Sequence, residues 1–182
     1  MTFSGVHETP ACVVVSPGTA TELAGRWPQL APTLARALAM ELLPALAPTH
    51  EPDRALSALS GSTAAPPLAP GLAVLPLDPG LALADGSCWA RALGAWRQPT
   101  LLVIEAAQLE SGAAAATTAL LLQHGVPLLG LIQWGDPWQP ERRRRDGLPW
   151  LGALGPAGQP EGLDLRWALR WAVARQVQGL GA

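Results

Sequence analysis

The stretch that follows the first apolar run has the composition of an anion-binding turn. The run ACVVV (residues 11–15) is short and β-branched, and SPGTATELAG (residues 16–25) comes directly after it. A strand, a glycine-containing turn and a helix form the layout in which backbone N–H groups at a helix N-terminus receive an anion. The sequence therefore predicts that an anionic ligand approaches the chain just after its first strand.

Polar side chains also end two longer apolar runs. Glu105 follows Leu101–Ile104, and Gln133 follows Val126–Ile132. Ligands of α/β proteins bind outside the carboxyl ends of the strands, so Glu105 is expected to face a crevice. The Gln133 amide offers both a donor and an acceptor. It is a candidate binding group, and the alternative is a strand-end amide that is hydrogen-bonded to water.

The run Arg142–Arg145 is the one concentrated charge in the chain. A solvated face is the usual role of such a run. The functional alternative is an anion site for phosphate or an acidic partner. Both interpretations stay open at this point.

Metal-binding and nucleophilic patterns are absent from the sequence. His7, His50 and His124 show no regular spacing to Asp, Cys or Glu, as a metal site or a Ser/His/Asp triad would require. Cys12 and Cys88 form no CxxC motif and have no His at ligand spacing, so they are expected to be buried, reduced thiols. We predict no metal site and assign no catalytic residue.

Composition narrows the class of protein. Apolar residues make up 49% of the 182 residues, and the net charge is −2, which argues against nucleic-acid binding through bulk electrostatics. No apolar run is long enough for a membrane span, and the first residues lack a secretion signal, so we expect a cytoplasmic protein. The chain contains no Lys, which rules out Schiff-base chemistry and the lysine of a phosphate-binding loop.

The elements that position these residues are predicted from the two longer apolar runs. Each run is continuous, and an alanine-rich, helix-sized segment separates them, as in two buried parallel strands joined by a crossover helix. We therefore predict a single α/β domain over residues 1–182, with a mostly parallel sheet of about five strands in a three-layer arrangement.

The remaining segments give shorter signals. We predict helices in residues 31–46, beginning near Pro32 or Thr33, in residues 86–97, capped by Ser87, and in residues 163–180. Further strands are predicted in residues 71–78 and 148–155. Residues 49–70 are expected to form an irregular excursion with a short helix over residues 52–59, and Asp78 is expected to begin a turn.

The second half of the chain resembles the dethiobiotin synthetase family of ATP-dependent ring-closing enzymes. The stretches that carry the resemblance are LLVIE (residues 101–105), HGVPLLGLIQW (residues 124–134) and LPWLGALGP (residues 148–156). They correspond in order and approximate spacing to the family's VILVV, GLPVLGVVLN and PVLGxLP segments. The resemblance implies a P-loop or Rossmann-like sheet and places Gln133 where the family has a base-recognising asparagine.

The first half retains only part of the family's phosphate-binding loop. Family members have GTxTxVGKT, and this chain has GTATELAGR (residues 18–26), which keeps the leading GTxT and lacks the GKT. By this resemblance Gly18, Thr19 and Thr21 are candidate nucleotide-binding residues of a degenerate Walker A loop. ATP and Mg²⁺ are implied as cofactors by the resemblance alone.

The resemblance implies a cytosolic homodimer of biotin metabolism. The missing lysine, glycine and hydroxyl predict that ATP turnover is lost or strongly weakened, as in a pseudoenzyme, and that a nucleotide or acidic metabolite binds weakly. One alternative is a non-catalytic interaction protein, which would expose clustered tryptophans among Trp134, Trp138, Trp150, Trp167 and Trp171. Another is a different small-molecule enzyme with a deep polar cleft at the strand ends.

Overall fold

The computed structural model of the chain describes residues 11–48, 51–61 and 71–162. The strands are β1 (Cys12–Val15), β2 (Glu41–Leu42), β3 (Gly71–Val74), β4 (Thr100–Glu105), β5 (Leu128–Trp134), β6 (Trp150–Leu154) and β7 (Pro160–Glu161). The helices are α1 (Ala20–Leu38), α2 (Pro52–Gly61), α3 (Trp89–Ala95), α4 (Ala113–Gln123) and α5 (Pro140–Arg145), with a 3₁₀ turn at Ala106–Gln108.

The sheet confirms the predicted α/β class with mostly parallel strands. Its order is β2-β3-β1-β4-β5-β6-β7, and only β7 runs antiparallel to its neighbour. The sheet has seven strands in the described part of the chain, where about five were predicted. The two that the sequence did not reveal, β2 and β7, are two residues long, which is too short to produce an alternating pattern.

Alternate side chains of the strands belong to two different hydrophobic clusters. Val14 belongs to a cluster with the buried side of α1, while Val13 and Val15 belong to a second cluster with residues of α2, α3 and α4. All four residues of β1 are buried. Strands covered on both faces in this way have continuous apolar sequences, which is why β1, β4 and β5 were recognisable.

The first helix begins well before the position that the sequence suggested. We predicted a start near Pro32 or Thr33, but α1 starts at Ala20 and contains both Pro28 and Pro32. Each interior proline costs a helix about 3 kcal/mol. That cost is offset by a continuous buried stripe, which consists of Leu23, Trp27, Leu30, Ala31, Leu34, Ala35 and Leu38.

The central strand, helix and strand are as predicted. Helix α4 connects β4 and β5, which pair in parallel. Strand β6 falls within the predicted residues 148–155, and β3 lies inside the sheet and ends two residues before Pro76. The predicted cap of α3 was wrong: Cys88, not Ser87, is its N-cap residue, and no side chain caps it.

Helix α2 accounts for the predicted short helix in the 49–70 segment. Residues 49–50 and 62–70 lie outside the described residues, as does the helix predicted over residues 163–180. Within the described ranges, no helix has the length and apolar character needed to cross a membrane.

Candidate functional site

The strand order reverses beside β1. Strands β2 and β3 lie on one side of it, and β4, β5 and β6 lie on the other. Such a reversal opens a crevice at the carboxyl ends of the strands, where α/β proteins bind ligands. We call the polar residues at the ends of β1, β3 and β4 the loop cluster, which comprises Ser16, Gly18, Thr19, Glu22, Arg26, Asp78, Glu105 and Gln108.

The connection between β1 and α1 is much shorter than a phosphate-binding loop. Only residues 16–19 separate β1 from α1, and residues 20–26, which were compared with the family's loop, already form the first turns of the helix. A loop of the GxxxxGK type curves around phosphate before its helix begins. In this chain residues 20–26 are helical, so the backbone does not curve around a phosphate there.

Thr19 caps the helix in a reciprocal arrangement with Glu22. The Thr19 hydroxyl accepts from the Glu22 backbone N–H at 3.3 Å, and the Glu22 carboxylate accepts from the Thr19 backbone N–H at 2.7 Å and from its hydroxyl at 2.9 Å. This is a capping box. The hydrogen bonds from the Thr19 backbone and side chain lower the pKa of the Glu22 carboxyl below its ordinary value.

Asp78 reaches back to the same loop from the end of β3. Its Oδ2 accepts from the Gly18 backbone N–H at 3.0 Å, and its Oδ1 accepts from the Gly80 N–H at 2.8 Å. The second bond is the turn that the sequence predicted for Asp78. The first requires Gly18 to adopt φ +144°, which residues with a Cβ rarely adopt.

The Arg26 side chain is buried beneath this loop and forms an ion pair with Glu105, the last residue of β4. One of its guanidinium nitrogens donates to the Ser16 hydroxyl at 2.6 Å, and the other donates to the Glu105 carboxylate at 2.5 Å. The Arg26 side chain is 7% exposed and that of Glu105 is 39% exposed. Glu105 therefore does face the crevice edge, as predicted, but an arginine of α1 occupies its carboxylate.

Gln108 closes the cluster from the 3₁₀ turn after β4. Its Nε2 donates to the Pro17 carbonyl at 2.7 Å, and its Oε1 accepts from the Glu105 backbone N–H at 3.1 Å. The side chain thus joins the first loop to the end of β4. Like Arg26, it holds the two strand ends together and leaves little hydrogen-bonding capacity pointing outward.

The loop cluster does not fit a nucleotide with magnesium. The amides of Gly18 and Thr19, which lie in the turn before α1, already donate to the carboxylates of Asp78 and Glu22. Those carboxylates would also repel a triphosphate. Arg26, the only cation of the cluster, faces Ser16 and Glu105.

The four residues predicted to bind a ligand lie in different surroundings in the structure. Gly18 and Thr19 lie in the loop cluster, and Thr21 lies on the exposed surface of the first turn of α1. Gln133 is the penultimate residue of β5 and is only 1% exposed, and its Nε2 donates to the Asp136 carbonyl at 2.7 Å. That bond holds the turn after β5. The Gln133 Oε1 has no hydrogen-bond partner among the described residues.

The arginine run is a short helix whose charges are largely neutralised within the chain. Arg142 pairs with Glu110, and Arg144 pairs with Glu141. Arg143 is buried, pairs with Asp146 and places its guanidinium 5.3 Å from the centre of the Trp150 ring. The structure thus uses Arg143 as a packing residue, while the neighbouring arginines lie in ion pairs at the surface.

The tryptophans of this region do not form an exposed patch in the described part of the chain. Trp134, Trp138 and Trp150 are half-buried. Trp138 and Trp150 pack edge to face with ring centres 6.2 Å apart. Trp167 and Trp171 lie outside the described residues. The exposed cluster that the interaction-protein alternative requires is therefore not shown.

A second polar region lies between α2 and α3. Residues at the start of α2 and along α3 line a cleft of about 650 Å³, among them Arg54, Asp85, Cys88 and Arg91. The Cys88 Sγ lies 3.7 Å from Nε2 of His124, at the end of α4. Within the described residues, no group of three or more His, Cys, Asp or Glu is placed to hold a metal ion.

The sequence did not reveal the partnerships that build these two regions. Asp78 lies 60 residues from Gly18, Glu105 lies 79 residues from Arg26, and His124 lies 36 residues from Cys88. One signal was available: the TxxE spacing of Thr19 and Glu22 is that of a capping box and marks the true start of α1.

The comparisons with known proteins add no family assignment. No protein-family model matches this chain, and the search of curated proteins gives no match either.

Proposed function

We propose that the chain is a divergent dethiobiotin synthetase-like protein of biotin metabolism that has lost ATP turnover. In this proposal it is a cytoplasmic homodimer with a three-layer, P-loop-like architecture. A nucleotide or acidic metabolite binds weakly near Gly18, Thr19, Thr21 and Gln133. The motif resemblance of the second half supports the family, and the mostly parallel sheet with hydrophobic clusters on both faces supports the architecture.

One observation carries the loss of turnover. The two backbone amides that follow Pro17 already donate to carboxylates of the chain, one from Asp78 and one from Glu22. A phosphate must displace both carboxylates to reach those amides, and each charge-assisted hydrogen bond that it replaces is worth about 1.5–3 kcal/mol. Affinity for any anion at this loop is reduced accordingly.

The absence of a compensating cation strengthens the argument. A transition state of phosphoryl transfer needs positive charge at the transferred group. Arg26 is the cation of the loop cluster, and its guanidinium is buried between Ser16 and Glu105. The loop cluster, as formed by the described residues, therefore offers no free cation that could stabilise the developing charge.

The direct assay uses the purified full-length chain with MgATP, bicarbonate and 7,8-diaminopelargonate. We expect dethiobiotin formation and phosphate release at the level of a no-protein blank. Robust, protein-dependent formation of dethiobiotin would show that the loop functions in spite of its geometry and would refute the loss of turnover.

Family membership is tested separately by ligand-induced stabilisation. A ligand that binds only the native state raises the unfolding free energy by an amount set by its concentration relative to Kd. We expect 7,8-diaminopelargonate or dethiobiotin to raise Tm at millimolar concentration, with lysine and hexanoate as matched controls. If the controls shift Tm equally, the assignment to biotin metabolism is wrong.

A further inference from the structure

The chain contains two cysteines, and their surroundings differ sharply. Cys12 is 3% exposed at the start of β1, and burial raises the pKa of its thiol to about 12. Cys88 is half-buried and lines the α2–α3 cleft. The nucleophile in cysteine chemistry is the thiolate, so burial and the raised pKa both disfavour reaction at Cys12.

His124 stands beside the accessible thiol. Its Nε2 lies 3.7 Å from the Cys88 Sγ, within the range of a sulfur hydrogen bond. When Nε2 carries no proton, the imidazole accepts from the thiol. The imidazole is thus placed to take the proton of the Cys88 thiol as a general base.

The close approach of two helices creates this pair. Gly94 in α3 lies so near the end of α4 that a Cβ built on it would lie 1.8 Å from the His124 carbonyl oxygen. The absence of a side chain at Gly94 lets α3 approach His124. Cys88 is the N-cap residue of the same helix, so the approach of α3 to His124 also brings the thiol near the imidazole.

The cleft has the size and polarity for a charged small molecule. Its volume of about 650 Å³ lies within the range of small-molecule sites. Arg54 and Arg91 line it together with the carboxylates of Asp53 and Asp85. Both signs of charge therefore line the cleft that the thiol borders, which suits a ligand that carries both carboxylate and ammonium groups.

We propose that Cys88 is a reactive thiol that undergoes disulfide exchange with small peptide disulfides, with His124 as its base. His124 Nε2 takes the proton of the Cys88 thiol, and the thiolate attacks one sulfur of the disulfide. A bond forms between Cys88 Sγ and that sulfur, and the bond between the two disulfide sulfurs breaks. The second sulfur leaves as a thiolate and takes up the proton, so no other oxidant or reductant is needed.

The test uses oxidised glutathione as the probe and the reduced full-length protein. Intact-mass and peptide mass spectrometry follow the mixed disulfide at each cysteine over time. We expect adducts at Cys88 and none at Cys12, and no adduct in Cys88→Ser. Modification of Cys12 first, or an absence of Cys88 adducts, would overturn the proposal.

The role of His124 is tested by the rate of exchange. In His124→Gln the rate is expected to fall by roughly 10-fold, because the base that takes the proton of the Cys88 thiol is removed. Gln123→Ala, an exposed change next to His124, is the matched control and should react like the wild type. An unchanged rate in His124→Gln would remove His124 from the proposal.

A measurement on the wild type alone tests the proposal even if the variants misfold. The rate constant at Cys88 is compared with that of N-acetylcysteine amide toward the same disulfide at neutral pH. We expect Cys88 to react faster. A rate equal to or below that of the free thiol would overturn the proposal without recourse to any variant.

Discussion

The loop cluster and the α2–α3 cleft differ in how their polar groups are partnered. In the loop cluster, donors and acceptors satisfy one another: Gly18 meets Asp78, Thr19 meets Glu22, and Arg26 meets Glu105. In the cleft, the Cys88 thiol borders about 650 Å³ of open space, and the His124 imidazole lies 3.7 Å from its sulfur. The turn after β1, which the sequence suggested as a ligand site, is thus closed by the protein's own side chains. The accessible thiol lies instead in the α2–α3 cleft, which no sequence motif indicated.

The largest expected effect is a loss of stability when the close contact between α3 and the end of α4 is disturbed. Gly94→Ala places a methyl group against the His124 carbonyl, and overpacking of this severity costs about 3 kcal/mol or more. Chemical denaturation should show that loss, and exchange at Cys88 should slow because the pair with His124 is disturbed.

Gly25→Ala is the matched control for this substitution. Gly25 lies within α1 with nothing within 4 Å of its virtual Cβ, so alanine should stabilise the helix by about 0.5–1 kcal/mol. Equal effects of the two changes would contradict the tight contact between α3 and α4.

The second effect tests whether the loop cluster is held by its buried cation. Arg26→Met keeps the apolar stem and removes the hydrogen bonds to Ser16 and Glu105. We expect a loss of about 1–3 kcal/mol in the free energy of unfolding, since bonds to charged groups contribute about that much and the Glu105 carboxylate is partly solvated.

Arg144→Met provides the comparison for that loss. Arg144 pairs with Glu141 on the surface of α5, and exposed ion pairs contribute about 0–1 kcal/mol. If urea denaturation gives the same change for both arginine variants, Arg26 has no special role in the loop cluster.

A smaller effect distinguishes the two threonines that the sequence put forward together. Thr19→Ala removes the cap of α1 and should cost about 1 kcal/mol. Thr21→Ala changes an exposed side chain within the helix and should be neutral or stabilising by up to about 0.5 kcal/mol. Thermal unfolding of both variants checks this difference, and similar losses would show that the capping box is not formed.

The smallest expected effect is the pH dependence of the same cap. The pKa of Glu22 is lowered in the folded protein, so its contribution to stability is present above the unfolded value of about 4.3 and is lost as pH falls through the lower folded value. Unfolding of the wild type and Glu22→Gln should therefore differ at neutral pH and converge in acid. A constant difference down to about pH 2 would contradict the assignment.

The elements with a clear local pattern in the sequence were the ones that could be predicted. Strands β4 and β5 are continuous apolar runs and were recognised, as was the helix between them. The start of α1 was misplaced because Pro32 is typical of a first helical turn, whereas the buried stripe and the TxxE cap extend the helix back to Ala20. In that helix, tertiary packing outweighs the cost of two prolines.

The site was harder to predict because its contacts are distant in sequence. The turn at Asp78 was predicted, but its bond to Gly18 depends on β3 lying next to β1 in the sheet. The proximity of Cys88 and His124 depends on the packing of α3 against the end of α4. Neither relation is expressed in spacing along the chain.

The most direct test of the closed loop is a calorimetric titration of the full-length protein with MgATP. With the Gly18 and Thr19 amides held by Asp78 and Glu22, we predict no heat beyond dilution at sub-millimolar ATP. Saturable binding with a Kd of about 1 μM, equivalent to about 8 kcal/mol, would contradict the account, because that affinity requires the amides to be free for phosphate.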